Sequence, residues 1–191
     1  LMGRTLGVIG VGNIGAEIFR LVQPFGMRLL GCDPHVHQSA VSALGVKMVE
    51  MDTLLRESDH ISVNTFLDDT TRGLIGAREF ALMKPTAYFI NTARGPVVNE
   101  SALIEALRTN RIAGAAIDVF EQEPVSPDNP LLKMDNVIVA PHAICHTDEC
   151  MSLLGKSAFR AAIDVAHGRK PHLIVNTEAL KHPAWVGMFH A

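Results

Sequence analysis

Short apolar runs alternate with helix-like segments along most of this 191-residue chain. The runs are nearly continuous in apolar residues, which is typical of strands that are buried on both faces of a parallel sheet. Alternating strands and helices predict an α/β fold of the doubly wound Rossmann type, with helices on both faces of a parallel sheet. The predicted strands lie in RTLGVIG, MRLLGCD, VKMVE, DHISVNTF, TAYFINTA, IAGAAIDVF and NVIVAPH.

The sequence also predicts the apolar spacing of one helix and the N-cap residues of two others. The helix after the first strand carries Ile14, Ile18 and Leu21 at helical spacing. Asp52 is expected to be the N-cap of the segment DTLLRES, and Asn99 the N-cap of NESALIEALRTN. Short polar side chains suit these positions because they accept hydrogen bonds from the free N–H groups of the first helical turn.

The segment GVGNIG, residues 10–15, joins the first strand to the first helix. Its G-x-G-x-x-G spacing is a weak signal alone, but Asp33 ends the second strand about 20 residues later, as in the dinucleotide-binding fingerprint. Gly10 permits the tight turn, Gly12 lets a pyrophosphate approach the backbone, and Gly15 lets the helix pack against the strand. The helix N-terminus then offers N–H groups and a partial positive charge to the phosphates.

Asp33 also predicts which dinucleotide is bound. Its carboxylate would accept hydrogen bonds from the diol of an adenosine ribose and would repel a 2′-phosphate. No arginine or lysine occupies positions 34–37, where it could hold such a phosphate. We therefore expect NAD rather than NADP.

Composition argues against several other classes of protein. The formal net charge is −3, so the chain has no basic footprint for nucleic acid and no polybasic membrane patch. No apolar run reaches the roughly 18 to 20 residues needed to cross a bilayer. The three cysteines, Cys32, Cys145 and Cys150, do not resemble a disulfide framework, so we expect a reducing, cytoplasmic location. Because the first residue is Leu1 and not methionine, we expect a piece of a longer protein.

Three side chains with possible chemical roles come at or after the carboxyl ends of predicted strands, where ligands bind in open parallel sheets. They are Arg94 in NTARGP, Glu123 in DVFEQEP and His142 in VIVAPH. A guanidinium group can hold a carboxylate in bidentate fashion, and a histidine can give or take a proton near neutral pH. Each residue alone also has an ordinary structural explanation, as a surface arginine, a solvated loop acid or a structural histidine.

Taken together, these motifs resemble the NAD-binding domain of the D-isomer-specific 2-hydroxyacid dehydrogenases. The resemblance extends from Gly3 to about Asn176 and is carried, in order and spacing, by GVIGVGNIG, DDTTRGLIG, LMKPTAYFINTARGPVVNESALIEALRTNRIAGAAIDVFEQEP and NPLLKMDNVIVAPH. It implies that Arg94 binds the carboxylate and keto oxygen of the substrate. It also implies that His142 is the acid and base of the reaction and that Glu123 is the carboxylate paired with it.

The same resemblance assigns the residues that contact the coenzyme. Asn13 and Ile14 match the turn that faces the pyrophosphate, and Asp118 matches the residue that contacts the nicotinamide amide. The full expected set is Gly10, Gly12, Asn13, Ile14, Gly15, Asp33, Asn64, Thr92, Ala93 and Asp118.

The sequence departs from the family where the substrate pocket is expected. The family often has histidine or a similar polar residue at the position of Asn64, and proline at that of Phe66. Ile144 and Cys145 stand where small residues with glycine are common, which narrows the space beside the nicotinamide. Glu123 argues against formate dehydrogenase activity, because those relatives lack the acid that pairs with histidine.

The resemblance also divides the chain. Residues 1–168 are expected to form the NAD-binding domain, including a long helix over 147–167, and residues 169–191 a tail that returns to a substrate domain otherwise absent. The active-site cleft of family members lies between two domains, so we expect weak turnover or none from this chain alone. Family members usually pair through the nucleotide domain, so a homodimer is expected.

Several functions stay open at this point. The leading one is NAD-dependent reduction of a small 2-oxo acid or oxidation of the D-2-hydroxy acid, with hydroxypyruvate or glyoxylate preferred to 3-phosphoglycerate. The alternatives are an NAD(H)-sensing binding module of the corepressor type and a truncated product without a function of its own. His142, Cys145, His146 and Cys150 crowd together, but they lack the spacing of a paired-cysteine zinc module, so no metal is expected.

Overall fold

The computed structural model describes residues 1–183 and 185–189. Within them the strands are β1 (Thr5–Ile9), β2 (Arg28–Cys32), β3 (Val46–Met48), β4 (His60–Val63), β5 (Tyr88–Asn91), β6 (Gly114–Ile117) and β7 (Val137–Val139). They form a parallel sheet in the order β3-β2-β1-β4-β5-β6-β7. The chain starts in the middle of the sheet, builds one half outward and then returns to build the other. This is the doubly wound topology, and it confirms the predicted fold class.

Helices and single turns of 3₁₀-helix connect the strands. The helices are α1 (Asn13–Val22), α2 (Gln38–Val41), α3 (Met51–Glu57), α4 (Ala77–Leu82), α5 (Glu100–Arg108) and α6 (Asp148–Ala166). Short 3₁₀ segments cover Gln23–Phe25, Ser42–Leu44, Gly95–Val97, Pro130–Lys133 and Thr177–Lys181. Across the described ranges, no helix has both the length and the apolar character needed to cross a membrane.

Buried apolar side chains form two clusters. Val8 belongs to the smaller cluster and its neighbour Ile9 to the larger one. Because successive residues of a strand point to opposite faces, the two clusters lie on opposite faces of the sheet. Phe19 of α1 packs in the smaller cluster, and Phe80 and Phe89 meet edge to face in the larger one at a centroid distance of 5.3 Å.

One of the residue-level expectations for helices needs correction. α3 begins at Met51 and its N-cap is Glu50, so the expectation that Asp52 caps this helix is wrong. Instead, both carboxylate oxygens of Asp52 accept hydrogen bonds from Nη2 of Arg78, at 2.9 and 2.8 Å. The Asp52 carboxylate is therefore engaged in an ion pair with a residue of α4 and does not cap its own helix. By contrast, Asn99 is confirmed as the N-cap of α5, since its Oδ1 accepts from the N–H of Ala102 at 2.9 Å.

The three apolar residues at helical spacing in α1 differ in burial. Ile18 is half-buried, Ile14 is 67% exposed and Leu21 is 56% exposed, whereas Phe19 is fully buried. Gly15 packs directly against the carbonyl of Gly10, and Phe19 lies one turn further along the same face. The close approach at Gly15 therefore sets the rotation of the helix and turns Ile14 and Leu21 outward.

The described residues divide into two compact units, one formed by residues 1–144 and the other by the described residues from Cys145 onward. The first unit contains the whole sheet. The boundary expected at residue 168 and the tail expected over 169–191 stay predictions. Ala184 and the last two residues of that tail lie outside the described residues.

The second unit is built on α6, which was expected over 147–167 and is found at Asp148–Ala166. Oγ1 of Thr147 caps its start by accepting from the N–H of Cys150 at 3.2 Å. Near its end the buried Asp164 accepts from Nε of Arg160 at 3.3 Å and from Nε of Arg169 at 2.9 Å. These bonds tie the last turn of the helix to the segment that follows it.

Candidate active site

The residues expected at the site follow six different strands, and all of them lie at the same edge of the sheet. Each lies at or shortly after the carboxyl end of a parallel strand, and this edge is the one at which open sheets bind ligands. In strand order along the chain they follow β1 (Gly10, Gly12, Asn13, Ile14 and Gly15), β2 (Asp33), β4 (Asn64), β5 (Thr92, Ala93 and Arg94), β6 (Asp118 and Glu123) and β7 (His142).

The three glycines of the bend after β1 differ in what surrounds them. Gly10 has φ +87°, and a methyl group there would lie 2.6 Å from the amide nitrogen of Thr65. A methyl group on Gly15 would lie 2.2 Å from the carbonyl oxygen of Gly10. Gly12, the N-cap of α1, has nothing within 4 Å of such a methyl group. The bend and the helix are thus packed closely at two glycines, and open space lies in front of the third.

Asp33 ties the glycine bend to the loop after β2. Its Oδ2 accepts from the N–H of Val11 at 2.8 Å, and its Oδ1 accepts from the N–H of His35 at 2.8 Å. Each carboxylate oxygen has a second lone pair, so the side chain can accept further bonds from a diol. Asp33 therefore lies where the dinucleotide fingerprint requires an acid, beside the bend.

A cavity of about 540 Å³ opens beside Asp33 and the glycine bend. Gly10, Gly12, Asp33 and Asn64 belong to its lining, and Nδ2 of Asn64 donates to Oγ of Ser62 at 3.0 Å. Sequence analysis did not assign the rest of this wall to the site. Part of it follows or flanks the ends of β2 and β4 and could have been found by that rule: Cys32, Pro34, His35, Val36, Thr65 and Phe66. The other lining residues are Ile9, Met51, Thr70, Thr71 and Leu74.

The thiol of Cys32 lies in that wall and is half-buried. Burial raises its pKa, and the negative charges of Glu50 and Asp33 raise it further. Cys32 is therefore a neutral, apolar contact at neutral pH and not a nucleophile.

His142 and Glu123 form a hydrogen-bonded pair at the other end of this edge. Nδ1 of His142 lies 2.7 Å from Oε2 of Glu123, and Oε1 of Glu123 accepts from the N–H of Phe120 at 3.0 Å. The bond to His142 lowers the pKa of Glu123 most, against a smaller opposing effect of burial, and the charge of Arg94 lowers it further. Glu123 is therefore a carboxylate in the neutral pH range, and both candidate partners act on it electrostatically.

The backbone of His142 is strained. Its φ of +54° lies in the left-handed region, which is uncommon for residues other than glycine. Such a conformation raises the free energy of the fold by about 1–3 kcal/mol and is found most often at functional sites. A second cavity, of about 500 Å³, is lined by Phe120, Glu123, Pro124, Val125, Pro141 and His142.

The remaining expected residues line neither of these two cavities. Arg94 is exposed, and its Nη1 donates to the carbonyl of Ala93 at 2.5 Å. Thr92 and Ala93 are half-buried in the same turn, and Asn13 and Ile14 are exposed at the start of α1. Asp118 is buried and accepts two backbone hydrogen bonds, from Ala143 and Ile144. Its expected contact with the nicotinamide amide stays a prediction.

The described residues contain no group of three or more histidine, cysteine, aspartate or glutamate side chains placed to hold a metal ion.

Gly12→Ala is expected to weaken NADH binding by roughly 10- to 100-fold, the equivalent of losing one charge-assisted hydrogen bond to a phosphate. The added methyl group would occupy the open space through which a phosphate reaches the N–H groups of α1. Because it meets no protein atom, the free energy of unfolding should change by less than about 0.5 kcal/mol. Fluorescence titration with NADH and urea unfolding measure the two effects.

Gly76→Ala is the matched control for Gly12→Ala. Gly76 is the N-cap of α4, has φ −123°, and its added methyl group would come no closer than 3.5 Å to Oε2 of Glu79. This variant should bind NADH as the wild type does. Unchanged NADH affinity in Gly12→Ala would show that no phosphate uses the space in front of Gly12.

Comparison with known proteins places this chain in a family. Residues 1–143 match the family described as D-isomer specific 2-hydroxyacid dehydrogenase, NAD binding domain. Glyoxylate reductase from Korarchaeum cryptofilum is 43% identical over 179 residues, which are 94% of this chain and 54% of that protein. D-3-phosphoglycerate dehydrogenase from Archaeoglobus fulgidus is 40% identical over 181 residues, which are 95% of this chain and 34% of that protein.

Comparison with solved structures identifies the same family. A crystal structure of D-lactate dehydrogenase with NAD⁺ from Lactobacillus jensenii matches with a TM-score of 0.83 at 32% identity, over 91% of this chain and 56% of that one. The chain spans about half the length of these relatives, or less. The match to an NAD-binding domain confirms NAD as the coenzyme. The chain belongs to the D-isomer specific 2-hydroxyacid dehydrogenase family, and the part of that family's architecture that it carries is the NAD-binding domain.

Proposed function

We propose that this chain supplies the coenzyme site and the reacting side chains of an NAD-dependent oxidoreductase that interconverts small 2-oxo acids and D-2-hydroxy acids. The observation that carries the proposal is the 2.7 Å contact between His142 and Glu123 on the sheet edge that also holds the glycine bend. A histidine paired with a charged carboxylate is suited to give and take a proton. Arg94, whose charge acts on the same carboxylate, supplies the cation that a 2-oxo acid requires.

The residues present fit the coenzyme. The space in front of Gly12 is open, and the cavity beside Asp33 has a largely apolar wall with an acid at its rim. In this proposal Gly10, Gly12, Asn13, Ile14 and Gly15 form the bend under the pyrophosphate. Asp33 binds the ribose, and Asn64, Thr92, Ala93 and Asp118 line the rest of the cleft.

When bound, NADH supplies the hydride that reduces the keto carbon. The side chains of this chain donate the proton to the keto oxygen and stabilise the negative charge of the substrate. Nδ1 of His142 is bonded to Glu123, so Nε2 is the ring nitrogen left to donate a proton to the keto oxygen. Glu123 bonds Nδ1 of His142 and so holds the imidazole in one orientation. Arg94 holds the substrate carboxylate and keto oxygen and polarises the carbonyl.

Glyoxylate and hydroxypyruvate are the substrates we favour, with 3-phosphoglycerate next, in keeping with relatives named glyoxylate reductase and D-3-phosphoglycerate dehydrogenase. Those relatives are longer than this chain, and we propose that a further part of the substrate pocket comes from a second domain. A homodimer formed through the nucleotide domain is proposed from family resemblance alone. Three free cysteines suit a reducing compartment, which supports a cytoplasmic location.

An assay panel tests this proposal. The chain itself, and the complete protein that carries it, are titrated with NADH and then assayed with glyoxylate, hydroxypyruvate, pyruvate and 3-phosphohydroxypyruvate. We expect both to bind NADH, the complete protein to reduce at least one 2-oxo acid, and the chain alone to show little or no turnover. Binding of NADH without reduction of any acid by the complete protein would reject the enzyme and favour the NAD(H)-sensing alternative.

Glu123→Gln is expected to lower kcat/KM for 2-oxo acid reduction by roughly 10- to 100-fold, the equivalent of losing one hydrogen bond to a charged group. The bond to His142 holds the pKa of the wild-type Glu123 carboxyl below its ordinary value, so this group is a charged acceptor for Nδ1 of His142 throughout the neutral range. The amide of the variant carries no charge and holds the imidazole less firmly. Measuring kcat/KM at neutral pH for both proteins checks the loss.

Glu121→Gln provides the control for this substitution. Glu121 lies in the same loop, and its Oε2 accepts from the N–H of Glu100 at 3.3 Å. Its variant should keep the wild-type kcat/KM. If Glu123→Gln also kept that value, the His142–Glu123 contact would have no influence on the protonation step.

A further inference from the structure

Two buried polar side chains lie next to the turns that carry Arg94 and His142. Asn91, the last residue of β5, is 1% exposed, and Asp118, the residue after β6, is 4% exposed. Polar groups are stable in a protein interior only when they are hydrogen-bonded, so their partners show what these side chains hold in place.

Asn91 fixes the turn that ends at Arg94. Its Oδ1 accepts from the N–H of Ala93 at 3.0 Å, and its Nδ2 donates to the carbonyl oxygen of Arg94 at 3.2 Å. The amide therefore bonds the backbone on both sides of the Ala93–Arg94 peptide. With that backbone fixed, the guanidinium is free to move only through the torsions of its own side chain.

Asp118 fixes the turn that follows His142. One carboxylate oxygen accepts from the N–H of Ala143 at 3.0 Å, and the other accepts from the N–H of Ile144 at 3.4 Å. These are the two residues directly after the strained φ of His142. A residue holds a strained conformation only where its surroundings determine it, and the carboxylate of Asp118 supplies that constraint.

The two side chains are also joined to each other. The N–H of Asp118 donates to the carbonyl oxygen of Asn91 at 3.0 Å, across the end of the β5–β6 pairing. A continuous path of hydrogen bonds therefore runs from the Arg94 turn through Asn91 and Asp118 to the turn after His142. Every bond of this path lies inside the unit of residues 1–144.

We propose that Asn91 and Asp118 are a positioning pair that fixes the distance between the substrate-binding guanidinium of Arg94 and the proton-transferring imidazole of His142. The inference rests on the proposed function and assigns Asn91 a role in it. It also gives Asp118 a role in addition to the nicotinamide contact expected from the sequence. Both oxygens of Asp118 are bonded to the turn after His142, and each keeps a second lone pair for a ligand.

Asp118→Asn tests the proposal in the complete protein. One acceptor oxygen becomes an NH₂ group, which cannot accept from the N–H of Ala143 or Ile144. We expect kcat for 2-oxo acid reduction, measured at saturating NADH, to fall by roughly 10- to 100-fold, the effect of a misplacement of about 1 Å. A tenfold or greater loss of NADH affinity with unchanged kcat would overturn the proposal in favour of a coenzyme contact.

Asn91→Asp tests the other half of the pair. The carboxylate can still accept from Ala93 but can no longer donate to the carbonyl of Arg94. We expect KM for the 2-oxo acid to rise by roughly tenfold with a smaller change in kcat, because Arg94 binds the substrate while His142 transfers the proton. A KM equal to that of the wild type would overturn the assignment of Asn91.

Asn136→Asp is the matched control. Nδ2 of Asn136 donates to the carbonyl of Leu107 at 3.3 Å, so the variant loses the same kind of bond outside the site. It should lower the thermal midpoint without changing kcat or KM. If Asp118→Asn does not fold, Asp118→Ser removes the second acceptor with a smaller side chain and is assayed in its place.

A readout that needs no turnover separates this inference from the proposed function. In this chain, the imidazole NMR signals of His142 report its bond to Glu123 and should shift in Asp118→Asn but not in Asn136→Asp. Unchanged signals would show that Asp118 does not position His142, even if the enzyme is active. A shift in a protein that reduces no 2-oxo acid would support the positioning role and reject the proposed function.

Discussion

His142→Ala is expected to lower kcat for 2-oxo acid reduction by roughly 10²- to 10⁴-fold in the complete protein, the range typical of removing a general acid. The variant has no group at the position of Nε2, so water must donate the proton to the keto oxygen. NADH affinity should stay within about a factor of two, since His142 lines a different cavity from the one beside Asp33 and the glycine bend. Stopped-flow hydride transfer and fluorescence titration measure the two quantities separately.

His172→Ala is the control for His142→Ala. His172 is exposed in the second unit and has no place in the proposed reaction, so His172→Ala should keep the wild-type rate. Added imidazole should restore part of the rate of His142→Ala by entering the space left by the side chain. A kcat for His142→Ala within about threefold of the wild type would remove this residue from the mechanism.

The fold and the edge at which the site lies could be predicted because they depend on local patterns. Short apolar runs and the glycine bend each occupy adjacent residues, and the topology of a parallel sheet brings the ends of separate strands to one edge. The expected positions of Arg94, Glu123 and His142 followed from that rule, and that of Asp33 from its spacing after the glycine bend. Asn99 was found as a cap because its partner, Ala102, is three residues away.

The parts that sequence analysis missed depend on contacts between distant residues. Asp52 has the right residue type for a cap, but Arg78, 26 positions away, takes its carboxylate. Asp118 bonds Ala143 across 25 positions, and neither spacing nor composition shows such a bond. The outward rotation of Ile14 likewise depends on the packing of Gly15 against Gly10, which helical periodicity does not describe.

Gly95→Ala is expected to be the most destabilising single substitution among the glycines discussed here. A methyl group on Gly95 would lie 1.8 Å from the carbonyl oxygen of Phe120, 2.0 Å from its carbonyl carbon and 2.5 Å from the amide nitrogen of Glu121. All three are backbone atoms, so no side-chain rotation can relieve the contact. We expect the free energy of unfolding to fall by more than about 3 kcal/mol, at or beyond the upper end for overpacking.

The same contact links stability to the site. Gly95 follows Arg94, and Phe120 donates its N–H to Glu123, so the close approach at Gly95 sets how near the arginine turn comes to the His142–Glu123 pair. Any Gly95→Ala protein that folds must therefore separate these turns and should also reduce 2-oxo acids more slowly. Urea unfolding of Gly95→Ala measures the first effect, and Gly76→Ala, whose methyl group makes only ordinary van der Waals contact, is the control. A midpoint equal to that of Gly76→Ala would mean that the two loops can part freely and that their contact does not fix the geometry of the site.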